Sequence, residues 1–351
     1  MNKKLLLLFI IAIFAIQLTA KIEWAAYPAG GYSDETDLSF GLLAYLRFTP
    51  EIQDSSKKVN SVYFLSKYTL KDQFIFALNP ELYYQNGKYR LNSNLEFRSW
   101  PTTFYGIGNN TDLDDSEEYT PESYFIDFEL SRKLISNLSI SIQTDFSSFQ
   151  IKKIETDSAL EIYKKYSQAS AIGLGLCWDS RNGQFYPTKG FYGKYNVNFF
   201  DDLFSSDYSF IQHSFDIRQF LKVSSKSVLS WQFIGAFSSG NVPFFKKYRL
   251  DNNMRGIPAN LHIDENFSVL RSEYKIFPWR GYFSQKIGFA TFLEFGSVFD
   301  KLENYQIKDN KINYGAGFRY TIIPGDKLNF RIDVGFGENG QQLTIMASEE
   351  F

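Results

Sequence analysis

Apolar and polar side chains alternate with a period of two, in short runs repeated along nearly all of the 351-residue chain. This pattern restricts the fold more than any other feature. It is plainest in Tyr314-Gly315-Ala316-Gly317-Phe318-Arg319-Tyr320-Thr321-Ile322 and in Leu328-Asn329-Phe330-Arg331-Ile332-Asp333-Val334-Gly335-Phe336. One face of each run is aromatic or aliphatic, and the other is Asn, Gly, Arg, Thr or Asp. Successive side chains of a strand point to opposite sides, so these are strands with one greasy and one polar face. In a soluble sandwich the greasy face would meet a second sheet. Repeated through the whole chain behind a secretory leader, the pattern reads instead as an all-β fold, a transmembrane antiparallel β-barrel with lipid outside and a polar lumen inside.

The leader is Lys3 and Lys4, then apolar Leu5 to Ile16, then the small-residue site Leu18-Thr19-Ala20. The expected division is a signal peptide at 1–20, a short N-terminal periplasmic segment at 21–36 and a barrel at 37–351; an uncleaved anchor helix is the alternative. No later stretch approaches the roughly 20 apolar residues of a spanning helix. Aromatics make up 18% of the chain, with 36 Phe and 23 Tyr, enough for girdles at both membrane interfaces. A net charge of −2 implies no nucleic-acid partner. The single Cys177 cannot form an internal disulfide and reads as packing, and two His residues exclude a His-rich metal site. No cofactor is expected. Outer-membrane lipids are the expected surroundings, and the bacterial outer membrane the expected location.

Alternation and turn residues predict sixteen strands, at 37–48, 58–70, 72–85, 88–99, 102–108, 119–134, 137–151, 166–179, 188–202, 206–222, 225–240, 265–277, 285–299, 311–323, 327–337 and 341–351. The barrel then closes by pairing Leu38–Phe48 with Leu343–Phe351. Tight connections at Ile135-Ser136-Asn137, Lys222-Val223-Ser224-Ser225 and Ile323-Pro324-Gly325-Asp326 alternate with longer polar ones around Asp112–Thr120, Lys152–Lys165 and Gly240–Asp264. Short periplasmic turns and longer outer loops are the expected asymmetry. Asp157–Ser167 reads equally as a short helix or as a strand extension.

Several local patterns go further. Trp178-Asp179-Ser180-Arg181-Asn182-Gly183 is a D-x-R turn, followed by the P-T-x-G strand start of Tyr186-Pro187-Thr188-Lys189-Gly190. Asp and Asn make side-chain turns, Pro fixes φ, and Gly permits positive φ. Met254-Arg255-Gly256-Ile257 lies in the longest loop, Glu273 in Arg271-Ser272-Glu273-Tyr274-Lys275, and Glu294 in Phe292-Leu293-Glu294-Phe295-Gly296. Tyr105-Gly106-Ile107-Gly108-Asn109 precedes an acidic loop. In this order the motifs resemble the BamA/TamA superfamily of outer-membrane assembly and translocation barrels (the bacterial surface antigen family), in a member lacking periplasmic POTRA modules. The resemblance implies a long sixth outer loop folded into the lumen, where its Arg255 pairs with acidic residues of the wall. The family's first acid matches Glu273. Its second is usually Asp and is Glu294 here. The chain also departs from the family in having Asp251-Asn252-Asn253 where Gly-Gly is usual, and Ile257 where an aromatic follows Arg-Gly.

Strand parity supports the pairing independently. Arg271, Glu273 and Lys275 share one polar face, and Gly288, Ala290, Glu294 and Gly296 another. A hairpin centred near Phe283–Ser284 would set the two glutamates opposite each other. Facing carboxylates repel unless a cation intervenes. Arg255 has a fork able to serve both. The plainer alternative is two separately solvated lumen acids. At the end of the chain, Leu343, Ile345, Ala347 and Phe351 form the apolar face of the closing strand, and a terminal aromatic there resembles the signal read by the outer-membrane assembly machinery.

The resemblance implies insertion or translocation of other proteins, through a weak seam between first and last strands. The implied partners are a client or passenger protein and a separate periplasmic subunit. A passive pore, or a structural scaffold for a partner, is the alternative. No enzyme is expected. His213 falls on the lipid-facing side of its strand, His262 in the long loop, and neither a G-x-S-x-G elbow nor a Walker loop occurs.

Overall fold

The computed structural model describes residues 20–33, 35–50, 60–154, 158, 160–161, 166–183, 186–279, 281, 286–323 and 328–346. Most of the leader, most of the 157–167 segment, Pro324–Asp326, Ala347 and Phe351 lie outside them. In chain order the strands are β1 (Ala20–Ser33), β2 (Asp37–Pro50), β3 (Asn60–Thr69), β4 (Phe74–Tyr84), β5 (Tyr89–Ser99), β6 (Thr102–Phe104), β7 (Glu117–Lys133), β8 (Leu138–Ile154), β9 (Ser167–Asp179) and β10 (Gly190–Phe200). They continue as β11 (Phe210–Lys222), β12 (Ser227–Gly240), β13 (Tyr248–Arg249), β14 (Ile263–Asp264), β15 (Asn266–Ile276), β16 (Ile287–Phe299), β17 (Lys311–Ile323), β18 (Leu328–Gly337) and β19 (Gly340–Met346). All but β13 and β14 belong to one antiparallel sheet in which each strand pairs with the next, except that β5 and β6 both pair with β7 and β12 pairs with β15. β13 and β14 form a separate ribbon inside the β12–β15 loop. Among the described residues no helix is long and apolar enough to cross a membrane. The longest strands, β7 and β8, have 17 residues, more than the roughly 9–11 that a tilted strand needs to cross.

The two faces of the sheet are inverted relative to a soluble protein. On β9 the outward Ile172, Leu174, Leu176 and Trp178 are exposed, while Ala171, Gly173 and Gly175 face inward. On β15 to β18 the inward side chains are Arg271, Glu273, Lys275, Glu294, Arg319, Arg331 and Asp333, all buried. Charged groups are rarely buried in water-soluble proteins, and exposed aliphatic rows of this extent need hydrocarbon around them. Small inward residues make room for long polar neighbours. A Cβ on Gly175 would lie 2.5 Å from Gln143 Nε2 and 2.7 Å from Asn196 Oδ1.

Five expectations are corrected. The segment 21–36, expected to precede the barrel, is mostly β1, paired with β2 from Ala20↔Pro50 to Ser33↔Asp37. Pro28, Gly30 and Gly31 interrupt its alternation and hid it, although Ile22 and Trp24 still point outward and are exposed. β1, rather than the strand at 37–48, therefore lies beside β19. The strand expected at 102–108 is only β6, a three-residue continuation of β5 along β7. Pro101 interrupts it, because proline has no N–H for the ladder. The sheet thus holds seventeen strands by hydrogen bonding, against the sixteen expected. In the β15–β16 hairpin, Glu273 faces Phe292 and Glu294 faces Arg271, so the two glutamates are diagonal neighbours instead of direct partners.

At the closure an ideal Cβ on Gly31 would lie 3.9 Å from the Ile345 carbonyl oxygen. Among the described residues no ladder joins β1 to β19.

Candidate functional site: the lumen loop and its anchors

The connection from β12 to β15 turns inward on the β13–β14 ribbon, which is extended by Leu250 N–H donating to the His262 carbonyl at 3.0 Å. Its tip carries Met254 to Ile257. Leu250, Met254, Ile257 and Leu261 pack against Ile234, Ala236, Phe267, Val269 and Val298 of β12, β15 and β16. Ile257 thus serves as a buried apolar anchor. Two glycines let the tip approach the wall. Gly256 has φ +83°, the left-handed region that favours glycine, and a Cβ there would lie 2.9 Å from the Gly335 carbonyl carbon of β18. A Cβ on Gly335 would in turn meet Gly256 N at 2.8 Å.

This seating delivers Arg255, 7% exposed, into a set of carboxylates. Its Nη1 lies 2.7 Å from Glu273 Oε2 and 3.2 Å from Asp333 Oδ2. Its Nε and Nη2 are each 2.7 Å from Glu294 Oε1. The Arg255 backbone N–H donates to Glu294 Oε2 at 2.7 Å, and its carbonyl accepts from Asn313 Nδ2 at 2.7 Å. The guanidinium carbon sits 3.4 Å from the centre of the Phe292 ring, a cation–π contact on a desolvated face. Further cations share the acids. Lys275 Nζ is 3.2 Å from Glu273 Oε1, Arg319 Nη2 is 3.2 Å from Glu273 Oε2, and Arg331 Nη1 is 2.8 Å from Asp333 Oδ2. The planar fork of Arg255 reaches three strands at once, a geometry that a lysine ammonium cannot reproduce.

The structure brings Arg255, Glu273 and Glu294 together. Sequence reasoning missed Asp333 and Phe292. The alternation of Arg331, Asp333 and Gly335 on the polar face of β18 was a usable signal for Asp333. Phe292 carried none, being an aromatic at an inward position where parity alone expects a polar residue.

A second set of anchors holds the loop to the opposite wall, and it too was missed. Lys246 Nζ lies 2.6 and 2.7 Å from the two oxygens of Asp145 on β8. The Phe244 ring packs edge-on against Phe104, Tyr119 and Phe149, and Phe245 stacks on Phe149 at 5.3 Å. The Tyr105–Asn109 motif clasps the loop from the outer side. Gly108 N–H donates to the Ile263 carbonyl at 2.8 Å, Thr111 Oγ1 donates to the Leu261 carbonyl, and Asn109 Oδ1 accepts from Val298 N–H at 3.2 Å. The loop therefore lies across the lumen, tied to strands on both sides.

Both imidazoles are engaged. His213 Nδ1 is 2.7 Å from the Tyr195 hydroxyl, and His262 Nδ1 is 3.1 Å from Thr111 Oγ1. Burial, reinforced by the positive charge of Lys311, holds His262 down at about 4. The unfolded chain takes up this proton near 6.5 and the folded chain near 4, so between those values the unfolded state binds more protons. Stability from this group is complete above pH 6.5 and falls as the pH drops toward 4. Urea melts of detergent-solubilised protein at pH 7 and pH 4.5 should show that loss, and His262→Gln should flatten it. Equal slopes in both proteins would remove His262 from the account.

At the opposite end of the barrel, Asp179 Oδ1 accepts from Arg181 N–H at 3.1 Å and from Arg181 Nε at 2.9 Å. The Arg181 guanidinium lies over the Tyr192 ring at 4.5 Å. Asn182 Oδ1 accepts from the Thr188 and Lys189 N–H groups at 2.9 and 3.1 Å. Pro187 is buried, and Gly190 has φ +109°, with its α-carbon so close to Ser180 and Arg181 that a Cβ would lie 2.8 Å from Arg181 Cα. The D-x-R and P-T-x-G residues thus form one self-bonded turn. On β19, Leu343 faces Val334 and Ile345 faces Ile332, on the outward side.

The model of the Omp85 superfamily domain matches residues 45–337. No curated protein sequence matches the chain. Among solved structures, BamA from Haemophilus ducreyi lacking POTRA domains 1–3 superposes with a TM-score of 0.62 at 12% identity, covering 93% of this chain and 69% of that one. CdiB from Escherichia coli gives 0.61 at 11% identity, covering 92% and 61%. CdiB from Acinetobacter baumannii gives 0.57 at 9% identity, covering 93% and 65%. At these identities the likeness is one of fold, and the chain spans about two-thirds of the length of each relative.

Proposed function

Because this chain belongs to the Omp85 superfamily and is an outer-membrane barrel, we propose that it acts in membrane-protein assembly or secretion, passing client strands through a weak seam between β1 and β19. The observation that supports this reading lies at the closure of the barrel. β1 and β19 lie side by side, yet no described ladder joins them, while β1 and β2 are paired along their whole length. Pro28 removes a donor from β1, and Gly30 and Gly31 give its backbone little side-chain cover. An edge with free backbone groups is a template for an added strand. The solved relatives support the same reading by fold, since BamA and CdiB share this barrel. The partners on this reading are outer-membrane lipids, a client or passenger protein and a separate periplasmic subunit, with no nucleic acid. On this reading the barrel catalyses no reaction and needs no cofactor.

The test is a locked seam. Gly31→Cys and Thr344→Cys, both on the inward face of the closure, in a Cys177→Ser background, are bridged by a short reducible bifunctional thiol reagent. Proteoliposomes of the uncrosslinked protein should insert a denatured client barrel faster than empty liposomes do, the bridged protein should not, and reductant should restore the rate. Bridged protein that still accelerates insertion would sink the seam. No acceleration from the open protein, together with ion conductance, would favour a passive pore.

A further inference from the structure

Around Arg255 the described buried cations outnumber the described buried carboxylates. Arg255, Arg271, Lys275, Arg319 and Arg331 share the buried lumen wall with only three carboxylates among the described residues, Glu273, Glu294 and Asp333. Arg271 Nε donates to Gln232 Oε1 at 3.0 Å, and Gln232 Nε2 donates in turn to Asp216 Oδ1 at 2.8 Å. A wall rich in cations attracts an anion that approaches it. The approach is open on one side. A cavity of about 670 Å³ lies at the turn end of the barrel, among the β9–β10, β11–β12 and β15–β16 connections. Lys222, Lys226 and Lys286 line it, with Tyr186, Phe277 and Trp279, and no carboxylate lines it among the described residues. It touches the cluster directly. Lys275 Nζ lies 5.4 Å from the centre of the Tyr186 ring, and Thr321 and Asn329 on its inner wall are each two residues from Arg319 and Arg331.

We propose that this cavity is the docking site of an acidic polypeptide segment presented from the periplasmic side. Its location rests on the barrel orientation used in the proposed function, with short turns facing the periplasm. Three features select the occupant. The lysines and the cationic wall behind them complement carboxylates. Tyr186 and Phe277, edge-on at 5.7 Å, and the Ser224 and Ser227 hydroxyls supply apolar and hydrogen-bonding contacts of the kind peptides use. The inner walls are inward-facing residues of β12, β17 and β18, so the site opens into the barrel mouth, and Trp279, packed on the outward Phe289, marks its rim. A lipid headgroup would instead approach from the outer face of the barrel. Lys226 Nζ donates to the Pro278 carbonyl, one of the three hydrogen bonds an ammonium can make.

The test uses the full barrel in nanodiscs of zwitterionic lipid, with fluorescent decamers of glutamate, glutamine and lysine as probes. The glutamate decamer should bind, and the other two should not. The triple substitution Lys222→Gln/Lys226→Gln/Lys286→Gln should weaken binding by roughly tenfold or more, while Arg132→Gln/Lys133→Gln, on the outer flank of the same end, should leave it unchanged. Heat-modifiable migration of each variant shows that the barrel is intact. Failure of the glutamate decamer to bind, equal binding by the triple variant, or loss of binding when anionic lipid replaces zwitterionic lipid would overturn the proposal, the last by giving the site to headgroups. Client insertion is not read in this assay, so its outcome is separable from that of the seam.

Discussion

Arg255→Ala should lower the unfolding free energy of the barrel by about 3–5 kcal/mol, the range for removing one partner of a buried ion pair. The substitution takes two guanidinium contacts from Glu294, one from Glu273 and one from Asp333, acids that are at most 1% exposed. It also removes the cation from the Phe292 face. Lys275, Arg319 and Arg331 continue to hold Glu273 and Asp333, while Glu294 loses two guanidinium contacts, more than either of the other acids. Arg255→Lys should recover only a minor part, because an ammonium cannot span carboxylates on β15, β16 and β18 together. Combining Arg255→Ala with Glu294→Gln should cost less than the sum of the two single changes, since the neutral amide needs no counter-charge. Urea unfolding of detergent-purified protein, followed by the gel migration of unheated samples, measures all three. Wild-type midpoints for Arg255→Ala would show that the loop is held by its apolar contacts alone.

Phe244→Ala should cost about 3–5 kcal/mol, as large-to-small changes at buried aromatics do. The ring is 3% exposed and touches Phe104, Tyr119 and Phe149, and Ile263 and Leu160 belong to the same cluster. It joins the loop to β6, β7 and β8, on the side of the lumen away from Arg255. Its loss frees one end of the loop while the Arg255 end stays seated, so the barrel should remain folded and conduct more ions in planar bilayers. Lys246→Gln acts on the same end and should move conductance in the same direction by less. Reduced stability with unchanged conductance would mean that the loop does not seal the lumen.

Much of the site was legible one strand at a time. Parity alone placed Glu273 with Arg271 and Lys275 on one face, and Glu294 with Gly288, Ala290 and Gly296 on another. It did so because a strand sends alternate side chains to opposite sides whatever it packs against. Parity could not set the hairpin register. Sliding one strand past another by two residues keeps every side chain on its face, and that is the difference between the expected pairing and the observed Arg271↔Glu294. β1 was illegible for another reason. Pro28, Gly30 and Gly31 blur its alternation, and its identity as a strand comes from the fourteen residue pairs it makes with β2.

What the sequence determined by itself is the kind of solvent this chain requires: rows of Leu, Ile, Phe and Tyr on one face and Arg, Glu, Asp and Asn on the other make a sheet that must turn its greasy side to hydrocarbon. Only the tertiary structure decided who meets in the lumen. Asp333 joins Glu273 and Glu294 because the sheet curves β18 to where Gly335 admits the backbone of Gly256. Lys246 finds Asp145 because the loop is long enough to reach the far wall. Such contacts depend on closure of the barrel, which brings residues distant in the chain to within a hydrogen bond of one another and which no local periodicity encodes.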